Sequence, residues 1–305
     1  MERENIRRLA TEKNNINSVD IDKKTTLEIC NIINSEDIKV PLKIKEELES
    51  IALVIDQVVI AFKKQGRLIY TGAGTSGRIG LIDAVECRPT FSCSDEMVQC
   101  VMAGGKDAFV RAKEGVEDSK TEAINDLENI KLNRNDILIG IAASGRTPYV
   151  ISAIEYAKKM GCVTAAIATV KNSLIGKAAD YKIEVETGAE VLSGSTRMKA
   201  GTAQKMICNM ITTTSMIKIG KVYSNYMVDV NPTNDKLVKR ATNIISDIAL
   251  ISEEEALNLL RKYKTVKNAV IASLLKIDDI DKIEDLLKKY DNNLRAIMEE
   301  KKWLN

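Results

Sequence analysis

The sequence contains no histidine. That absence removes His-dependent nucleophilic triads, His-ligated metal sites and imidazole proton transfer. Any acid–base chemistry must run on carboxylates, lysine, tyrosine, cysteine or water. No apolar run reaches membrane-spanning length, and the opening MERENIRRLATEKNN is too polar for a secretory leader. The six cysteines (Cys30, Cys87, Cys93, Cys100, Cys162, Cys208) form no C-x-x-C pair, and several lie in apolar segments. Reduced, buried thiols in a cytoplasmic protein are expected. An excess of one charge is missing too: 45 basic and 43 acidic residues leave +2, spread along the chain. Nothing there points to a nucleic-acid partner. At 305 residues the chain can bury a full core, as one large domain or two smaller ones.

What is present centres on TGAGTSGR, Thr71 to Arg78. The apolar Leu68-Ile69-Tyr70 before it reads as a buried strand, and Ile79 to Val85 after it as a helix. A strand, a glycine-rich turn and a helix N-terminus make an anion site: the first amides of the helix have no internal partner, and the dipole favours negative charge. Gly72, Gly74 and Gly77 also fit the dinucleotide pattern G-x-G-x-x-G. That reading needs a carboxylate closing the next strand, but the next candidate, Val98 to Met102, ends in Ala103-Gly104-Gly105. The paired hydroxyls of Thr75 and Ser76 suit a phosphate monoester instead.

Ser-Gly-Arg recurs at Ser144 to Arg146, again directly after a buried apolar run, Ile137 to Ala142. Pro148 then suits the first turn of a helix to Met160. Further strands are expected at Val163–Thr169 and Tyr181–Glu186, and helices at Leu42–Lys64, from about Asp107 to Gly115, and at Ser195–Ile219. A β-loop-α order repeated about five times predicts an α/β fold, a parallel sheet flanked by helices. Two hydroxyl-bearing loops at strand carboxyl ends would form one phosphate pocket; alternatively Ser144 and Thr147 only cap a helix. After Pro232 the chain is charged, glycine-free and helical, with breaks near Ser252, Tyr263–Thr265 and Asp278–Asp281. This predicts a small all-helical domain with Leu257, Leu260, Val270, Ile271, Leu274, Leu275, Leu286 and Leu287 in its core. Residues 1 to about 40 read as an arm packed on the core or on a second subunit.

These two loops, with DAVECRPT (Asp83 to Thr90) and GAEVLSGSTRMKAG (Gly188 to Gly201), closely resemble the N-acetylmuramic acid 6-phosphate etherases of the sugar-isomerase (SIS) superfamily. The glucokinase regulatory protein shares the last signature. The resemblance runs from about Leu9 to the C-terminal helices. It implies an N-terminal arm and helix (1–56), a SIS sugar-phosphate-binding domain (57–220) and a helical domain (234–305), in a homodimer with shared active sites. It further implies a cytoplasmic, cofactor- and metal-independent lyase of peptidoglycan recycling. Such an enzyme cleaves the D-lactyl ether of N-acetylmuramate 6-phosphate to N-acetylglucosamine 6-phosphate and D-lactate. Arg88 stands where the family usually has proline.

The family pattern places catalytic glutamates at Glu86 and Glu117. Elimination requires a base at the acidic carbon 2 of the open-chain sugar and an acid for the leaving lactate oxygen. Glu86 is assigned as the acid; Glu117 is either the base or the residue that activates water. An acid at neutral pH needs its carboxyl raised by burial or a like charge, and Ile82, Val85 and Cys87 suggest burial. By likeness, Thr75, Ser76, Ser144 and Thr147, with the amides of Gly77 and Gly145, hold the phosphate, and Glu190, Ser195 and Thr196 line the sugar. Arg197 and Lys199 are either sugar contacts or structural ion-pair partners. In one unbroken helix Glu86 would lie about 15 Å from Ser76. So either that helix ends near Cys87–Pro89, or Glu86 serves the neighbouring subunit's pocket, which is favoured. A non-catalytic sugar-phosphate sensor and a SIS aldose–ketose isomerase remain the rival functions.

Overall fold

A computed structural model describes residues 10–302. Before the sheet come three helices, α1 (Thr26–Asp37), α2 (Lys39–Lys45) and α3 (Leu48–Lys63). The helix expected over Leu42–Lys64 is thus broken at Glu46-Glu47, and Pro41 falls in the first turn of α2, where its missing N–H costs nothing. There follow β1 (Leu68–Gly72), α4 (Gly74–Phe91), β2 (Val98–Met102), α5 (Gly105–Val110), α6 (Lys120–Asn129) and β3 (Ile137–Ile141). Next come α7 (Pro148–Lys159), β4 (Val163–Ala168), α8 (Leu174–Ala178), β5 (Tyr181–Glu184) and α9 (Lys199–Lys218). The five strands are parallel, in the order β2-β1-β3-β4-β5. Every residue of β1 and β3 is buried, as strands covered on both faces must be. The Arg67 amide and guanidinium both bond Asp136, with Nη2 to Oδ2 at 2.6 Å, which pins β1 and β3 together just before they begin. Leu138, Tyr149, Val150, Ala153, Ile154 and Ala166 form the heart of the core on one face.

By contacts the chain divides into two units. The first runs up to Val85 and resumes over Asp95–Thr212; the second takes Glu86–Ser94 and the chain from Thr213 on. The second unit holds a small hairpin, β6 (Val222–Tyr223) with β7 (Tyr226–Met227), and α10 (Asp235–Ala249), α11 (Glu253–Tyr263), α12 (Val266–Leu275), α13 (Ile280–Lys289) and α14 (Leu294–Lys302). The expected breaks appear as caps: Ser252, Thr265 and Asp279 each accept an amide of the helix that follows. A further break near Asp291–Asn292, two consecutive residues in the left-handed region, has no glycine or proline to mark it. Leu260, Val270, Ile271 and Leu287 are buried as expected, but Leu274 is 39% exposed. The innermost places go to Ala256, Tyr263, Val266 and Ile283.

Candidate active site

The sheet order reverses between β1 and β3: from β1 the chain crosses to β2 on one side, then returns to place β3 on the other. Ligands of open α/β sheets gather at this kind of switch point, outside the strand carboxyl ends. β1 and β3 end level, Gly72 opposite Ile141. The two Ser-Gly-Arg loops therefore leave adjacent strands at the same edge. Glu117 lies in a single helical turn, Val116–Asp118, half-buried; Val116 packs by Gly104, just past the end of β2, so this turn belongs to the same edge.

The first loop is tight because Gly72 and Gly77 approach closely. A Cβ on Gly77 would stand 2.7 Å from the Gly72 oxygen and 2.8 Å from Met102 Cγ. The Gly77 amide already donates to Ala73 O (3.3 Å) and the Gly145 amide to Ala142 O (3.0 Å). These glycines shape the loops and are not spare donors; the unpartnered amides are the first ones of α4, at Gly74, Thr75 and Ser76. The first turns of α4 and α7 carry no acidic residue. Thr147 occupies the N-cap position of α7 without a side-chain capping bond, so it is not the helix cap that was the alternative. No hydrogen bond within the described chain is made by the hydroxyls of Thr75, Ser144 or Thr147, and Ser144 and Thr147 are half-buried. Ser76 is 8% exposed and donates to Gln204 Oε1 on α9 at 3.0 Å.

α9 runs beside α4 in the same direction. Near the start, Gly201 faces Thr75, whose Cγ2 would be 3.5 Å from a Cβ there, and Thr196 O is 3.7 Å away. Further along, Asp83 of α4 accepts from Asn209 Nδ2 (2.7 Å) and Thr212 Oγ1 (3.2 Å), and from Tyr70 OH of β1 (3.1 Å). Burial pushes the Asp83 carboxyl up, and those hydrogen bonds oppose it. The half-buried Thr196 thus lies by the first loop, and the half-buried Ser195 precedes it in the same turn.

Glu190 has another place. It is fully buried, and its two oxygens accept the Lys199 amide (3.0 Å) and the Ala200 amide (2.9 Å). Burial raises its carboxyl while these amides lower it. It therefore caps α9, which explains why that helix starts at Lys199 and not at Ser195, and both its oxygens are committed away from a sugar. Lys199 resolves as an ion-pair partner, its Nζ 2.6 Å from buried Glu36 of α1. From Thr11 to Ser18 the arm lies on the core, its first nine residues falling outside the described ones: Asn15 Nδ2 donates to Ala189 O (3.1 Å), Ser18 Oγ to Val191 O (2.7 Å) and Gly194 N to Thr11 O (3.1 Å).

Glu86 lies on α4, which continues unbroken through Arg88 and Pro89 to Phe91. The expected burial is absent: Glu86 is exposed, with Ile82 and Val85 52% and 60% exposed and only Cys87 covered. Glu86 borders a cavity of about 740 Å³ in the second unit, together with Arg88, Asn231, Asn234, Lys236 and Arg240. Gln204 was marked by no sequence signal, and Asp83 only as the first residue of the DAVECRPT stretch, with no role attached.

Residues 50–158 match the glucokinase regulatory protein N-terminal SIS domain, and residues 119–214 the SIS domain. Relatives named N-acetylmuramic acid 6-phosphate etherase match almost the whole chain. The one from Geobacillus thermodenitrificans is 46% identical, covering 95% of this chain and 99% of its own. That from Oceanobacillus iheyensis is 49% identical over 92% and 98%, and that from Mycoplasma mycoides subsp. mycoides SC 48% over 99% and 100%. With near-complete coverage at this identity, and with both Ser-Gly-Arg loops at the switch point of the sheet, the chain belongs to the N-acetylmuramic acid 6-phosphate etherase family.

Proposed function

We propose that the protein is a carbon–oxygen lyase that cleaves the D-lactyl ether of N-acetylmuramate 6-phosphate, giving N-acetylglucosamine 6-phosphate and D-lactate. The observation that carries this is the pair of matching hydroxyl-bearing loops on β1 and β3, in a chain of this family. The phosphate is held by Thr75, Ser76, Ser144 and Thr147 and by the first amides of α4, with Gly77 and Gly145 shaping the loops. Thr196 and Ser195 approach the sugar. The phosphate fixes one end of the open-chain sugar. A base then removes the carbon 2 proton, which the neighbouring aldehyde acidifies. The carbon 3–oxygen bond breaks as the lactate oxygen takes a proton. Water adds to the resulting double bond, restoring a hydroxyl at carbon 3.

Glu86 donates the proton to lactate, and Glu117 acts as the base at carbon 2 or activates the water. Glu86 follows Ser76 by ten residues on one continuous helix, about 15 Å of rise. That distance favours Glu86 serving the site of a second subunit, in a homodimer whose copies share their sites. The exposed Ile82 and Val85 beside it fit a surface that a partner covers and dries. Such cover supplies the desolvation that an acid at neutral pH needs. No helix among the described residues is long and apolar enough to cross a membrane; the charged phosphate of the substrate, which does not cross a bilayer unaided, favours a cytoplasmic site of action.

The test is incubation with N-acetylmuramate 6-phosphate in heavy-oxygen water. D-lactate release with solvent oxygen on carbon 3 is expected. Binding without lactate would make the protein a sensor, and isomerised sugar with its ether intact would make it an isomerase. Glu86→Gln is expected to abolish cleavage while substrate binding stays within about tenfold of wild type; retained turnover would remove Glu86 from the reaction.

A further inference from the structure

Gln204 is fully buried on α9 and touches the candidate phosphate loop through one hydrogen bond, from the Ser76 hydroxyl to Oε1 at 3.0 Å. Its other arm, Nε2, is buried with no partner among the described residues. A buried amide donor without a partner is rare and costly. Its position beside the one loop hydroxyl that does have a partner calls for a reason.

A serine hydroxyl has a single hydrogen. Here that hydrogen is spent on Gln204, so an approaching phosphate would meet only the lone pairs of Ser76. A phosphate accepts hydrogen bonds and does not give them once it is fully ionised. The empty arrangement is therefore of the wrong polarity for the ligand. A half-turn of the Gln204 amide about its last bond exchanges the two arms. Nε2 then donates to Ser76 Oγ, and the serine hydrogen is released toward the phosphate. The oxygen moves to where the donor had no partner, so no existing bond is lost there. Ser76 retains 8% of its surface exposed while Gln204 retains none. A ligand thus reaches the serine and not the amide, which favours a relay through Ser76 over direct contact with Gln204.

We infer that Gln204 is a positioning residue for phosphate, an amide that accepts from Ser76 in the empty site and donates to it in the filled one. This rests on the reading of Ser76 as a phosphate ligand, but not on ether cleavage. It assigns to α9 a part in ligand binding that no motif announces: the bond spans 128 positions of sequence.

The probe is N-acetylglucosamine 6-phosphate, which lacks the ether, with inorganic phosphate alongside, titrated calorimetrically against the full chain between pH 5.5 and 8. Gln204→Glu places a side chain that only accepts when ionised. It should bind about thirtyfold more weakly than wild type at pH 8. The ratio should close to within about fivefold at pH 5.5, as the acid gains a proton it can donate. Gln204→Met keeps the volume without either arm. It should weaken binding less than about tenfold, by a ratio that does not change with pH, raising KM and leaving kcat within about threefold. In the Ser76→Ala background, Gln204→Met should add less than about twofold, since nothing is left to steer. In the wild type, phosphate should shift the Gln204 side-chain amide resonances. Equal, pH-independent losses for Glu and Met, or a full Met effect without the Ser76 hydroxyl, would reduce Gln204 to packing and overturn the relay. An unmoved amide resonance on saturation with phosphate would do the same. A wild type that binds the sugar phosphate but releases no lactate sinks the etherase reading alone.

Discussion

Glu36 and Lys199 show how one buried pair carries a pH dependence. Burial alone would raise the Glu36 carboxyl, but donors from Lys199, Lys39 and Asn17 outweigh it and hold the group at about 2. An unfolded glutamate titrates near 4.3. The native state therefore binds fewer protons than the unfolded one across that interval. The stabilisation is fully present above about pH 4.5 and is lost as pH falls toward 2. Glu36→Gln should cost about 3 kcal/mol at pH 7, because it leaves the Lys199 ammonium buried without its counter-charge. Its melting temperature should then fall less steeply than that of wild type between pH 5 and 3. Parallel curves in a thermal-melt series would remove Glu36 as the source. From sequence, Lys199 was open between sugar contact and ion pair, and no local spacing could decide it, since its partner lies 163 positions away. Glu190 was placed by its neighbours in a signature, and its capping of α9 could be seen only once the loop was folded. The hydroxyl loops were legible because their chemistry is local: residue type, spacing and the preceding apolar run sit together.

Among elements, the turn from β3 into α7 forgives little. Gly145 has φ +67°, and a Cβ there would come within 2.3 Å of Ser173 Cβ at the start of α8. Ser173 cannot retreat easily: its hydroxyl and amide bond Glu184 of β5 at 2.7 and 2.8 Å, and its Oγ accepts the Gly176 amide. Gly145→Ala should therefore destabilise by about 3 kcal/mol through backbone strain and overpacking. The melting temperature should drop by roughly 10 °C, and phosphate binding should weaken as Ser144 is displaced. A calorimetric scan within 2–3 °C of wild type would mean that the loop yields, contrary to this packing. The strands were readable as uninterrupted apolar runs, and the C-terminal helices as caps at regular intervals. α6 was not readable: its mean character is polar and only Ala123 and Leu127 are buried, too few for a period to stand out. The start of α9 was misplaced by four residues because a distant carboxylate, not a local cap, begins it.

At the scale of the whole molecule, Glu86 and Glu117 fall in different contact units, and Glu86 is exposed in the single chain. If each site takes Glu86 from one subunit and Glu117 from the other, inactive variants should complement. Mixing Glu86→Gln with Glu117→Gln after reversible dissociation should form heterodimers with one intact site and one doubly altered site. Up to about a quarter of wild-type activity should then return, from half the dimers carrying one working site of two. No recovery, with heterodimers confirmed by mass, would place both glutamates in one subunit. The composition of the chain set the class of chemistry, by leaving carboxylates as the main acids and bases. It held nothing about which copy supplies them, because that depends on a surface formed only by association.

The second contact unit is discontinuous, Glu86–Ser94 belonging with residues from Thr213 onward. During synthesis the earlier segment leaves the ribosome with its companions still unmade, and at roughly 5–20 residues per second they follow on the order of ten seconds later. For that interval the end of α4 must wait with its apolar side uncovered. Slower translation of the middle of the message should lengthen that interval and lower the soluble yield.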